Sequence, residues 1–288
     1  MSVNLGNGVV LDTPARQGES KLPAENLLLK LWRTRGLNRL LNSAMALAPT
    51  PIRQRVEEAR ARVRQHELRQ RVLRRARLVP EDDLCELLIR GLKTLADRHG
   101  RDSLGDYLEF GVYNGTSMSC MHRALERVSL RSTRMFGFDS FQGFPPSAAW
   151  EDEGRWQPGK CYSPLELTTA VLEAEGVDWS RVALVPGWFD DTLNEETVRK
   201  HGLKKASVVM IDCDLYSSTK TALNFCAPLI KDEALILFDE WHAKGLEGKM
   251  LGERKAFEEF LREWGCFTAI PFGQYAKRTE TFLVKRVS

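Results

Sequence analysis

"YLEFGVYNGTSMSCM" (107–121) runs from a short apolar stretch, through a Gly-Val-Tyr-Asn-Gly turn, into a helical pattern opened by Thr116 and Ser117. A strand passing through glycines into a helix is the repeating unit of parallel sheets. It aims the helix's free N–H groups and partial positive charge at whatever lies beyond the turn. Gly111 and Gly115 permit close backbone approach there. They stand four apart, so the turn departs from GxGxxG, and a ligand loop competes with an ordinary strand–helix connection.

The alternation continues downstream. Strands are expected at 106–111, 134–139, 181–187, 206–212 and 233–239, and helices near 116–128, 164–175, 190–200, 216–229 and 249–264. Continuous apolar strands such as "ALILF" (234–238) imply a parallel sheet covered on both faces. Two closing strands, 267–272 and 281–287, follow each other without a helix, so one should be antiparallel. The expected fold is α/β: a Rossmann-like, seven-stranded, mostly parallel sheet with helices on both faces and an N-terminal helical extension.

Upstream, Leu27, Leu28, Leu31, Leu40, Leu41 and Met45 recur at near-helical spacing over 24–48, and "PTP" (49–51) breaks the pattern. A second helix is expected over 51–78, with a thin apolar stripe of Ile52, Val56, Ala59 and Val63 among many arginines. Pro80 ends it, and an acid-rich start and Gly100 bound a third helix over 81–100. The division expected is a basic helical extension, 1–80, and a sheet domain, 81–288.

Charge follows the same division. Residues 1–80 carry 16 Lys/Arg against 6 Asp/Glu, whereas 81–288 carry 26 against 33. A basic arm on an acidic body reads either as a grip on an anionic partner or as contact between copies of the chain. The arm lacks the interleaved aromatics of a single-strand binder, so oligomer contact (dimer or tetramer) is expected rather than nucleic acid. No apolar run approaches the ~20 residues of a membrane span, and the N-terminus does not read as a secretory signal. The 6 cysteines are scattered without a CxxC pair, as expected of reduced thiols in the cytoplasm.

In an open parallel sheet, ligands bind beyond the carboxyl ends of the strands. Five exits carry chemistry. The first is the glycine turn, with Glu109 just before it and Tyr113, Asn114 and Ser117 within or after it. At the second, Asp139 ends a strand 28 residues after Gly111 and is followed by Ser140 and Phe141. An acid there suits the two hydroxyls of a ribose, and otherwise caps a helix. The third has Gly187, Trp188 and Phe189, whose rings suit either a nucleoside pocket or the core. The fourth and fifth deliver Asp212 and, 27 residues later, Asp239 and Glu240. Three carboxylates in one crevice repel unless a cation joins them. Oxygen-only ligands favour a hard ion such as Mg²⁺, and pairing of Glu240 with a nearby Lys or Arg is the alternative. His242, three residues beyond Asp239, is a candidate general base or a surface residue.

The segments "YLEFGVYNGTS", "FGFDSFQGFP", "GWFDDTL", "IDCDLYSSTKTAL" and "FDEWHA" resemble, in that order, the macrocin O-methyltransferase family of class I S-adenosylmethionine-dependent enzymes acting on natural-product sugars. The resemblance covers about residues 105–260. It implies that Glu109, Gly111 and Asn114 cradle the methionine part of the cofactor, that Asp139 holds the ribose, and that Phe141 and Trp188 border the adenine. It also implies that Asp212 and Asp239 ligate Mg²⁺, with a small hydroxylated molecule as methyl acceptor. Sugar-modifying members have two aspartates at the last exit where this chain has Asp239-Glu240, which leaves the role of Glu240 and the acceptor class open. "FPPSAAWEDEGRWQPGKCY" (144–162) reads as a flap whose Trp150 and Trp156 either stack on an acceptor or anchor the packing.

Overall fold

The computed structural model describes residues 48–74, 78–243, 246 and 249–287. The helix expected over 24–48 lies outside them. The chain divides into two units, 1–67 and 68–288, with the break inside helix α1 (Thr50–Leu73). Along α1 only Val72 is buried, and Ile52 of the expected stripe is 53% exposed.

Helix α2 (Glu81–His99) begins after Pro80 with Glu81, Asp82 and Asp83 in its first turn, where acids complement the helix dipole. It ends at Gly100, whose φ is +85°. Then follow β1 (Asp106–Phe110), α3 (Thr116–Arg127), β2 (Met135–Asp139), α4 (Leu165–Ala174) and β3 (Val182–Pro186). The helix expected over 190–200 is two: α5 (Phe189–Thr192) and α6 (Glu195–His201). Asn194 separates them, because its side chain accepts from the Thr197 N–H at 3.0 Å and starts a new helix. The chain closes with β4 (Ala206–Ile211), α7 (Tyr216–Cys226), β5 (Glu233–Phe238), α8 (Gly252–Trp264), β6 (Phe267–Gly273) and β7 (Glu280–Arg286).

The seven strands form one sheet in the order β3-β2-β1-β4-β5-β7-β6. Strands β1 to β5 pair in parallel, and β7 lies antiparallel to both β5 and β6. Every residue of β1, β4 and β5 is buried, so alternate side chains feed two separate cores. Val209, Ile211, Ile236 and Phe238 pack with Leu223 of α7 and Phe257 of α8 on one face. Val208, Met210, Leu235 and Leu237 pack with Leu88 of α2 and Met118 of α3 on the other.

The chain winds outward from β1 through β2 to β3, then crosses back to β4 on the other side of β1. That reversal opens a crevice at the carboxyl ends of β1 and β4. Gly111 makes the crossing possible: with φ +90°, a Cβ at this position would lie 1.8 Å from the Asp212 carbonyl oxygen. Among the described residues, no helix is long and apolar enough to cross a membrane.

Candidate active site

A cavity of about 520 Å³ opens over this edge of the sheet, and Gly111, Asp139, Gly187, Asp212 and Asp239 all line it. The five exits singled out in the sequence therefore meet in one place. Tyr113, Asn114, Ser117 and Ser140 line the same cavity, as do Trp188, Phe189 and Glu240.

At one end Asp139 is held by the main chain. Its Oδ2 accepts from the Val112 and Tyr113 N–H groups, each at 2.8 Å, and its Oδ1 accepts from Phe141 N–H at 2.6 Å. Burial raises its pKa, against the lowering effect of these three N–H donors. A carboxylate offers about four acceptor positions, so one remains for a ligand hydroxyl.

Four of the residues assigned from sequence are not among those lining the cavity. Glu109 is 0% exposed and lies behind the turn, taking Tyr107 O–H at 2.6 Å and Ser117 O–H at 2.5 Å. It ties β1 to the first turn of α3, and burial pushes its carboxyl up to about 7. Gly115, at φ +79°, faces Leu172 instead. Phe141 is buried, turned by a φ of +54°. His242 is half-exposed and sits 3.6 Å from Glu280.

The opposite end is acidic. Asp212, Asp214 and Glu240 line the cavity, and the buried Glu253 stands behind them, its Oε2 accepting the Glu240 N–H at 2.9 Å. Burial drives Asp212 well above the ordinary carboxylate range, reinforced by Asp239 and Asp214. Asp214 and Glu253 are raised in the same way. Burial pushes Glu240 up to about 7, with Arg278 pulling it down and Asp239 pushing it further up.

Asp239, 2% exposed, is held by side chains. Tyr275 O–H donates to its Oδ1 at 2.5 Å, and Arg278 Nη2 donates to its Oδ2 at 2.7 Å. Arg278 Nη1 also lies 3.2 Å from Glu240 Oε1. Sequence reasoning missed Arg278. It arrives from the β6–β7 turn, and nothing in "KRTE" (277–280) signals that this turn folds over the exit of β5.

The roof comes from the 144–162 segment. Trp156 lines the cavity against Phe144, with ring centroids 5.7 Å apart, whereas Trp150 is 70% exposed and is not a lining residue. Asp152 fastens the roof: its Oδ2 accepts Tyr216 N–H at 3.0 Å and its Oδ1 accepts Gly252 N–H at 2.8 Å. Glu151 accepts Ser217 N–H at 3.1 Å. Helix α7 has no side-chain cap from its own preceding residue, so the roof supplies it.

The sheet order, the antiparallel β7 and a cavity at the switch point define a Rossmann-like protein of the class I methyltransferase type. The macrocin O-methyltransferase (TylF) family model matches residues 90–262, and the chain belongs to that family. It is 32% identical over 143 residues to the 8-demethyl-8-(2,3-dimethoxy-alpha-L-rhamnosyl)-tetracenomycin-C 4'-O-methyltransferase of Streptomyces olivaceus, covering 48% of this chain and 53% of that protein. To the mycinamicin III 3''-O-methyltransferase of Micromonospora griseorubida it is 23% identical, over 48% of this chain and 55% of the other. The chain thus spans about half the length of the curated relatives it matches. The solved structure of the O-methyltransferase NovP superposes with a TM-score of 0.57 at 19% identity, over 72% of this chain and 80% of that one. CalS11, a calicheamicin methyltransferase, gives 0.52 at 20% identity, over 97% and 98%. At these identities the structural likeness establishes the fold.

Proposed function

We propose that this chain transfers a methyl group from S-adenosylmethionine to a hydroxyl of a small, sugar-containing or otherwise polyhydroxylated acceptor. The observation that carries the reading is the convergence of five strand exits on one cavity, with a main-chain-held Asp139 at one end and the carboxylates of Asp212, Asp214 and Glu240 lining the other. Family membership and the O-methyltransferase relatives support it.

The residues fit the cofactor. The remaining acceptor position on Asp139 suits a ribose hydroxyl, Trp188 and Phe189 offer apolar walls for the base, and Gly111, Asn114 and Ser117 line the turn for the methionine part. When bound, S-adenosylmethionine supplies an electrophilic methyl whose C–S bond breaks with its electron pair left on sulfur. Glu240 faces the same cavity and is the base in this reading: it takes the hydroxyl proton as the new O–C bond forms. A carboxyl poised near 7 suits that exchange. The acidic surplus at this end favours a neutral or cationic acceptor over a phosphorylated one.

Mg²⁺, the other cofactor suggested by the sequence, does not fit the donor set as it stands. Both oxygens of Asp239 already have donors, and among the described residues no three acid, histidine or cysteine side chains gather closely enough to hold an ion. The basic arm is read as a contact between copies of the chain, and a monomer mass in light scattering would reject this. A gel shift with generic RNA or DNA at low salt would instead favour nucleic acid. The described cysteines are all free thiols, which supports a reducing compartment such as the cytoplasm.

Calorimetry with S-adenosylhomocysteine, followed by transfer of labelled methyl to a panel of glycosides, tests the reading. Saturable binding and labelled ether products are expected. No binding at about millimolar ligand would end it.

A further inference from the structure

We propose that the Arg278 guanidinium is the fixed cation of the acidic end, standing between Asp239 and Glu240, two of the three carboxylates that the sequence offered to a metal, and making the site independent of a divalent ion. The proposal rests on reading the cavity as a methyl-transfer site.

Arg278 is the only Lys or Arg among the described residues lining the cavity. It bridges Asp239 at 2.7 Å and Glu240 at 3.2 Å, the adjacent pair that ends β5. An ion ligated by both acids would need their oxygens at about 2.0–2.1 Å, and would put its charge against the guanidinium. The two cannot share the place. Tyr275 completes the arrangement by occupying the other oxygen of Asp239.

The guanidinium is positioned by its backbone. The Arg278 carbonyl accepts the His242 N–H at 2.8 Å, which ties the β6–β7 turn to the chain just beyond Glu240. Inside the turn, Thr279 Oγ1 accepts the N–H groups of Tyr275 and Ala276 and donates to the Ala276 carbonyl. Burial works against the Arg278 charge, but Asp239 and Glu240 outweigh it and keep the group protonated.

One of the five guanidinium N–H donors is used in the hydrogen bond to Asp239, the contact with Glu240 is an ion pair, and Arg278 itself lines the cavity. Directed at an acceptor oxygen, its remaining N–H donors would stabilise the negative charge that builds up as Glu240 removes the proton. A divalent ion would supply the same service. An Arg does so without having to be captured from solution.

The test is a titration of the full chain, with S-adenosylhomocysteine present, by Mn²⁺. It is followed by calorimetry and by the electron paramagnetic resonance signal of free Mn²⁺. The wild type and Arg278→Lys should bind none up to about 1 mM, while Arg278→Ala, which vacates the position, should bind at least about tenfold more tightly than the wild type. One-to-one binding by the wild type below about 0.1 mM, lost in Asp239→Asn, would overturn the proposal. Turnover of the wild type should change less than about twofold in EDTA and fall at least about 100-fold in Arg278→Ala, with partial recovery in Arg278→Lys. Abolition by EDTA would overturn it as well. If Arg278→Ala does not fold, the wild-type titration still decides. Failure to bind S-adenosylhomocysteine would count against the methyl-transfer reading alone, since the Mn²⁺ result stands independently.

Discussion

Asp139 and Asp239 end two strands of the same sheet, and the chain neutralises them in different ways. Asp139 is met by the main-chain N–H groups of Val112, Tyr113 and Phe141. Asp239 is met by two side chains returning from the β6–β7 turn, Tyr275 and Arg278. The first arrangement survives most side-chain changes around it. The second fails with one substitution, because a buried carboxylate left bare is costly. The Asp139 end is thus a durable cradle, and the Asp239 end is where small changes of sequence retune chemistry.

The sharpest way to break this division is Glu240→Gln. It should lower kcat by about 10³-fold while the S-adenosylhomocysteine Kd moves less than about threefold. A matching loss of binding would show that the two ends are not separate. Asp139→Ala attacks the other end. It strands three N–H groups and should cost about 3 kcal/mol in chemical denaturation, with ligand binding weakened at least about tenfold.

The response to pH also separates the ends. Since burial holds Glu240 at about 7, kcat/KM should rise as pH increases through that value. Stability should run the other way. Glu109 and Glu240 are raised from 4.5 to about 7, so the folded chain keeps protons that the unfolded chain has released. Between those values stability falls as pH rises, by about 3 kcal/mol per group. A melting temperature that does not change between pH 5 and pH 8 would contradict this account. The smallest effect is expected from Asp152→Ala, which removes the cap on α7 and should cost about 1–2 kcal/mol.

The same division explains what the sequence could disclose. The strands were legible because each is a continuous apolar run, and Asp139 because its partners lie within a few dozen residues in a strand–turn–helix unit. The acids at the other end were legible as a cluster, but what holds them was not. Arg278 lies 39 residues beyond Asp239, and Asp152 reaches Tyr216 across 64. No local pattern marks such pairs. The surroundings of His242 were hidden in the same way: Trp241 packs against Phe282, with ring centroids 4.9 Å apart, and the imidazole lies 3.6 Å from Glu280, 38 residues on. Glu109 was read as a ligand contact because it precedes a glycine turn, yet alternation along β1 sends it inward.

The missing side chain at Gly111 has a lasting consequence. Because the exits of β1 and β4 touch through bare backbone, the spacing between the two halves of the cavity is gauged by the floor of the molecule and cannot be adjusted rotamer by rotamer. On the methyl-transfer reading, acceptors of new shape must then be accommodated overhead, by remodelling 144–162, while the gauge beneath stays fixed.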